Sequence, residues 1–196
     1  IYDQIGEVTD WWTGEPSGIG AAGFIGALQS LDLQAGDTLD LHINSPGGDL
    51  HAGLAMYHEL ARSPATVTAY IDGQAASIAS IIAMAADRIV MPPAASLWVH
   101  NPMTVFATYT AGYSTDMRAA AREALHLADD LDTYAASLGG IYAGRSGGKL
   151  THEAARALMD AETLITAAQA VEIGLADAIE EALPVVAFRD PRATLA

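Results

Sequence analysis

Three short stretches hold residues of the kind that acyl-transfer chemistry uses. Ser77 stands in "IDGQAASIASIIAMAAD", residues 71–87, which is otherwise apolar and small. His100 closes the apolar run "SLWVH" and precedes Asn101 and Pro102. Gly47 and Gly48 stand in "INSPGGDLHAG", between an alternating segment and a helical one. A serine hydroxyl becomes a nucleophile when a base takes its proton. The oxyanion that then forms is stabilised by fixed N–H donors. Glycine backbone at a helix start can offer such donors, because it tolerates positive φ and lets a ligand approach closely. The N–H of Ile78, next to Ser77 at a helix start, lies at the positive end of the helix. Each stretch alone also fits a plainer role. Ser77 fits a buried hydroxyl bonded to a carbonyl, His100 a half-buried residue at a strand end, and Gly47–Gly48 a tight turn capped by Asp49.

Other chemistries find less in the sequence. The chain has no cysteine, which excludes disulfides, thiolate nucleophiles and zinc–thiolate sites. Lys149 is the only lysine and sits in "SGGKL", so a Ser–Lys dyad is disfavoured. "HELAR" and "HEAAR" begin like a zinc-protease motif, but Arg62 and Arg156 stand where its second histidine belongs. His51 and His58 are read as the polar edge of a short helix. "GIGAAG", residues 18–23, matches the dinucleotide fingerprint in form, yet "WWTGEPS" separates it from any strand. No metal and no cofactor are expected. A formal net charge of −15 argues against nucleic acid and anionic membrane as partners. The longest apolar run, "ASIASIIAMAA", is too short to span a bilayer, and no signal peptide opens the chain. The absence of Met at position 1 suggests an upstream start or a trimmed form.

The elements that must hold these residues follow from periodicity. With 51% hydrophobic and 17% charged residues over 196 positions, the chain is globular and long enough for a sizeable core. "IYDQIGEV" reads as a first strand and "IGAAGFIGALQSL" as a helix. "DTLDLHINS" reads as a strand with Leu39, Leu41 and Ile43 on one face. "HAGLAMYHELAR" is helical and stops before Ser63–Pro64. "TVTAYIDG" is read as a strand ending near Ile71, with a turn at Asp72–Gly73 and a helix over "QAASIASIIAMAA". "DRIVMP" and "SLWVHNP" give two short strands. Then comes a long helix over about 116–142, a short one capped by Thr151, and another capped by Thr166 that ends at Gly174. A strand-like segment follows. Strands alternating with helices imply an α/β architecture.

"INSPGG" at 43–48, "GQAAS" at 73–77, "HNP" at 100–102 and "TAAQAVEIGLAD" at 166–177 occur in one order over roughly residues 1–180. Together they resemble the Clp protease proteolytic subunit (ClpP) family, and more closely its phage-encoded, prohead-protease-like branch. The resemblance implies the ClpP/crotonase-like spiral of β-β-α units with a protruding handle helix, here about 116–142. It implies one peptidase domain over 1–185 and a tail over 186–196. It implies a serine endopeptidase in which Ser77 is the nucleophile and His100 the base, with the Gly48 and Ile78 amides as the oxyanion hole. The third triad member corresponds to Glu162, with Asp160 as the alternative. Asp49, Leu50 and Met103 fall where an extended substrate would pair as an added strand. The family habit is a homo-oligomeric ring, heptameric or double.

Two departures favour the phage-type reading, in which the peptidase works without a Clp ATPase during head maturation. The family's gating N-terminal segment is not seen before Ile1, and "WWTGEPSG" is an insertion. The expected location is the cytoplasm of a bacterium or infected host. Two alternatives stand beside this reading. One is a non-catalytic ring-forming assembly module. The other is a crotonase-type acyl-CoA enzyme, which shares the spiral and uses backbone amides for an enolate oxyanion.

Overall fold

The computed structural model describes residues 1–9, 14, 16–106 and 113–180. The tail 186–196 and residues 11–13 and 15 of the "WWTGEPSG" insertion lie outside them. The elements run β1 (Val8–Thr9), β2 (Pro16–Ser17), α1 (Ala21–Ser30), β3 (Thr38–Ser45), α2 (Leu50–Ala61), β4 (Thr66–Ala76), α3 (Ile78–Ala83), β5 (Arg88–Met91), β6 (Ser96–Val99), α4 (Ser114–Arg145), α5 (His152–Asp160), β7 (Thr163–Thr166), α6 (Ala167–Glu172) and β8 (Ala178–Ile179).

β4 organises the main sheet. It pairs in parallel with β3 along most of its length, with β5 over Thr68–Tyr70, and with β6 over Gln74–Ala76. β7 pairs antiparallel with β6, and β8 parallel with β5. In β3 the alternation reads through to burial: Leu41 and Ile43 are buried, while Asp40 and His42 are exposed. The core lies between this sheet and helices α2 and α3, and every residue of α3 is buried.

The expected turn at Asp72–Gly73 is not there. β4 continues to Ala76 because it changes partner on the way, and its register with β3 shifts between Ile43 and Ser45. The following helix therefore starts at Ile78 instead of Gln74. The expected first strand over residues 1–8 is also largely absent. Ile5, wholly buried, makes isolated bridges to Gly48, through its own N–H and C=O to Gly47 and Asp49, and to Ile19, whose N–H and C=O bond to Gln4 and Gly6. β7 is an element that periodicity missed.

The expected long helix is α4, longer than read. It runs from 114 to 145, straight through Gly139, Gly140 and Gly144. Its buried residues are Ala135, Leu138, Gly139 and Tyr142, all in its last third, so its first two thirds stand away from the core. Thr151 and Thr166 cap α5 and α6 as read: their side chains accept from Ala154 N–H and Gln169 N–H.

Candidate active site

Ser77 is the N-cap of α3, at the junction with β4, with φ +54° and ψ −131°. A non-glycine residue in that region is costly and is held there only where its surroundings over-determine it. Three contacts do so. The Ser77 N–H donates to the Trp98 carbonyl on β6 at 2.7 Å, and the Ser77 carbonyl accepts from Ser80. On the third side is Gly47, at φ +90°: a Cβ there would fall 2.6 Å from Ser77 Cβ and 2.6 Å from the Ala76 carbonyl oxygen. The "SPGG" turn is thus seated against the serine, and a side chain at 47 would not fit.

The turn carries Gly48 beside it. Gly48 is exposed, and among the described residues neither its N–H nor that of Ile78 has an acceptor within the chain. Both residues line the same cavity as Ser77, and unpaired N–H donors of this kind can receive an oxyanion. Asp49 and Leu50 take a different form from the one expected. Asp49 caps α2, accepting from Ala52 N–H at 2.7 Å, and Leu50 is the first helical residue. The Asp49 N–H and C=O are bonded to Ile5 and Gly53. The chain after Gly48 therefore cannot pair as an added strand through Asp49. Residues 101–106, which include Met103, are irregular and mostly exposed.

His100 follows β6 directly. Its Nδ1 lies 2.6 Å from the Asn101 carbonyl oxygen. A carbonyl only accepts, so Nδ1 carries the proton and Nε2 is left with its lone pair, the tautomer a base needs. The ring packs on Trp98 at 4.6 Å between centroids. Among the described residues no carboxylate bonds to His100, nor does the Ser77 hydroxyl. Asp160 instead accepts from Asn101 Nδ2 at 2.8 Å and lies 3.9 Å from Arg156. The Glu162 backbone carbonyl accepts from Trp98 Nε1 at 3.1 Å, and Glu162 itself has φ +48°. β6 and β7 pair Val99 with Thr163. The ladder ends at that pair, with His100 following Val99 and Glu162, at φ +48°, preceding Thr163.

Ser77, Ile78, Gly48, Asp49, Leu50, His100 and Met103 all line one cavity of about 420 Å³. Neither Glu162 nor Asp160 lines it. Its far wall is α4, through Leu127, Asp130, Leu131, Tyr134, Leu138 and Tyr142. That wall escaped sequence reasoning, although 127, 131, 134, 138 and 142 recur at helical spacing. His51 also lines the cavity and lies 3.0 Å from the Tyr134 hydroxyl.

The Clp protease family model matches residues 19–182. The chain belongs to the Clp protease family. It is 31% identical over 163 residues to "ATP-dependent Clp protease proteolytic subunit 1" of Chlamydia muridarum, covering 81% of this chain and 79% of the relative. The protein of the same name from Chlamydia trachomatis serovar D is 31% identical over 140 residues, 70% of this chain and 67% of the relative. The Protochlamydia amoebophila protein is 29% identical over 140 residues, 70% of this chain and 62% of the relative. The α/β sheet with its long α4 is the architecture of this family.

Proposed function

We propose that this Clp-family chain is a serine endopeptidase. Ser77 attacks the scissile carbonyl while His100 Nε2 takes its proton. The Gly48 and Ile78 amides receive the oxyanion; the C–N bond then breaks, and the amine leaves with the proton His100 returns to it. Water, deprotonated in turn by His100, hydrolyses the acyl ester and frees Ser77. The observation that carries this reading is the Ser77 junction, where a strained serine lines one cavity with His100 and with Gly48 and Ile78, whose amide donors are unpaired among the described residues.

Glu162 is the proposed third member of the triad, with Asp160 as the alternative. Glu162 is supported by its place next to the last β6–β7 pair, Val99 with Thr163, at the end of the ladder from which His100 emerges, whereas Asp160 is already engaged by Asn101. For Glu162 to serve, His100 Nδ1 must exchange the Asn101 carbonyl for the carboxylate, which would stabilise the imidazolium as catalysis proceeds. An extended substrate would lie along residues 102–106, with side-chain contacts from Leu50 and Met103 and with Asp49 at the rim.

The unburied length of α4 supports assembly into a homo-oligomeric ring. Exposed apolar residues on it, Met117 and Leu125, are available to a partner surface. Among the described residues no helix is long and apolar enough to cross a membrane, and the reading places the protein in the cytoplasm. Work without a Clp ATPase, in the manner of phage head maturation, is favoured by the "WWTGEPSG" insertion. The relatives are named ATP-dependent, so a direct test is needed. The purified chain alone should degrade an unfolded protein such as casein at an appreciable rate. Cleavage of short peptides but not of casein, with casein degradation appearing only on adding a Clp ATPase and ATP, would overturn the ATPase-independent reading.

A further inference from the structure

Tyr142 and Ser80 are polar groups inside the apolar core, exposed by 3% and 0%, and the mechanism above uses neither. The Ser80 hydroxyl lies 2.5 Å from the Ser77 carbonyl oxygen and 2.6 Å from the Tyr142 hydroxyl. The protons can be counted. Ser80 has one hydroxyl hydrogen, and the Ser77 carbonyl can only accept, so that hydrogen goes to Ser77. Tyr142 must then donate to Ser80. Burial pushes the Tyr142 hydroxyl well above the ordinary tyrosine value, so it keeps the proton it donates. The Ser77 carbonyl also accepts from the Ser80 N–H at 3.0 Å.

The carbonyl of Ser77 and the N–H of Ile78 belong to one peptide unit, planar and trans. Pinning the oxygen on the core side aims the N–H the opposite way, toward the cavity. Hydrogen bonds accepted at the oxygen also polarise the amide and strengthen its N–H as a donor.

We propose that Tyr142 and Ser80 are positioning residues that aim and polarise the Ile78 oxyanion donor through the chain Tyr142 → Ser80 → Ser77 carbonyl. This rests on the serine peptidase reading and adds a role for α4, whose Tyr142 reaches the back of the nucleophile's peptide unit.

The oxyanion exists only in the transition state, so losing the chain lowers kcat and leaves KM alone. Tyr142→Phe keeps the ring and its packing and removes only the hydroxyl. The expected result in peptide hydrolysis is a kcat about five- to tenfold lower, one net hydrogen bond expressed as a rate, with KM within about twofold of wild type. A peptide boronate, which mimics the tetrahedral intermediate, should bind more weakly by the same factor, while a product peptide binds as before. Ser80→Ala should cost at least as much, and adding Tyr142→Phe to it should cost nothing further, because Tyr142 acts through Ser80. Tyr142→Phe with wild-type kcat and boronate affinity would overturn the proposal, as would effects of the two substitutions that multiply in full. Should Ser80→Ala fold poorly, the kcat, KM and boronate readings on Tyr142→Phe decide alone. A wild-type protein that neither cleaves peptides nor takes a fluorophosphonate on Ser77 sinks the peptidase reading itself, and this proposal with it. Activity in wild type with no change in Tyr142→Phe overturns only the positioning role.

Discussion

Gly47→Ala tests how the nucleophile is held. At φ +90° a Cβ would lie 2.6 Å from both Ser77 Cβ and the Ala76 carbonyl oxygen, and 3.2 Å from Ile78 N. Carbon atoms in contact normally lie about 3.5–4.0 Å apart, so the turn and the Ser77 junction must separate by about 1 Å. None of the three atoms is the end of a flexible side chain, so backbone has to move. The left-handed conformation costs an alanine about 1–2 kcal/mol. Forcing a packed interior apart costs about 1–3 kcal/mol more. Together the expected loss of stability is about 2–5 kcal/mol, read as a lower urea midpoint with unchanged slope. The rate should suffer beyond that. A 1 Å displacement of reacting groups costs about a hundredfold, and the same shift carries the Gly48 amide away from Ser77. Fluorophosphonate labelling of the folded fraction should therefore slow by about two orders of magnitude. Gly23→Ala in α1 is the control, since nothing lies within 4 Å of its added Cβ. A folded Gly47→Ala protein that labels within about threefold of the Gly23→Ala control would refute the claim that the glycine turn seats the serine.

Gly23→Ala itself should stabilise the protein by about 0.5–1 kcal/mol, visible as a higher thermal midpoint. Glu162→Gln should lower kcat of peptide hydrolysis by orders of magnitude, with Asp160→Asn much milder; the reverse order would move the triad acid to Asp160. Asp177→Ala removes the acceptor of the Ile89 N–H at 2.7 Å and the ionic partner of Arg145, whose side chain is 15% exposed. It should cost about 1–3 kcal/mol in denaturant unfolding. Among the described residues, the cavity beside Ser77 is lined by Asp49 and Asp130 and by no lysine or arginine. Matched peptides with Glu at the cleavage position should therefore show a lower kcat/KM than those with Leu, and added salt should narrow the difference.

How far the sequence carried the account can be read element by element. β3 was legible because one face is buried and the other wet, which writes a period of two into Leu39, Leu41 and Ile43. Thr151 and Thr166 were legible because capping is local. The extent of β4 was not, because its last residues are strand through pairing with β6, some twenty residues on, and with Ser45 of β3 beyond a register shift. Ser77, His100, Gly48 and Ile78 were found by motif order, and the fold gathers them at one cavity. The bond from the Ser80 hydroxyl to the Ser77 carbonyl is local, but the hydroxyl's link to Tyr142 spans 62 positions and leaves no local trace. The acid stayed open for a similar reason. Glu162 and Asp160 are two residues apart, and which of them reaches His100 depends on how the chain enters β7, a matter of pairing with a strand some sixty residues away.

The most direct measurement is to treat the assembled protein with a fluorophosphonate probe and map the adduct by mass spectrometry. The expected result is one adduct, on Ser77, absent from Ser77→Ala and strongly reduced in His100→Ala. An adduct on Ser80 or any other serine, or none in a folded and assembled sample, would contradict the assignment of Ser77 as the nucleophile.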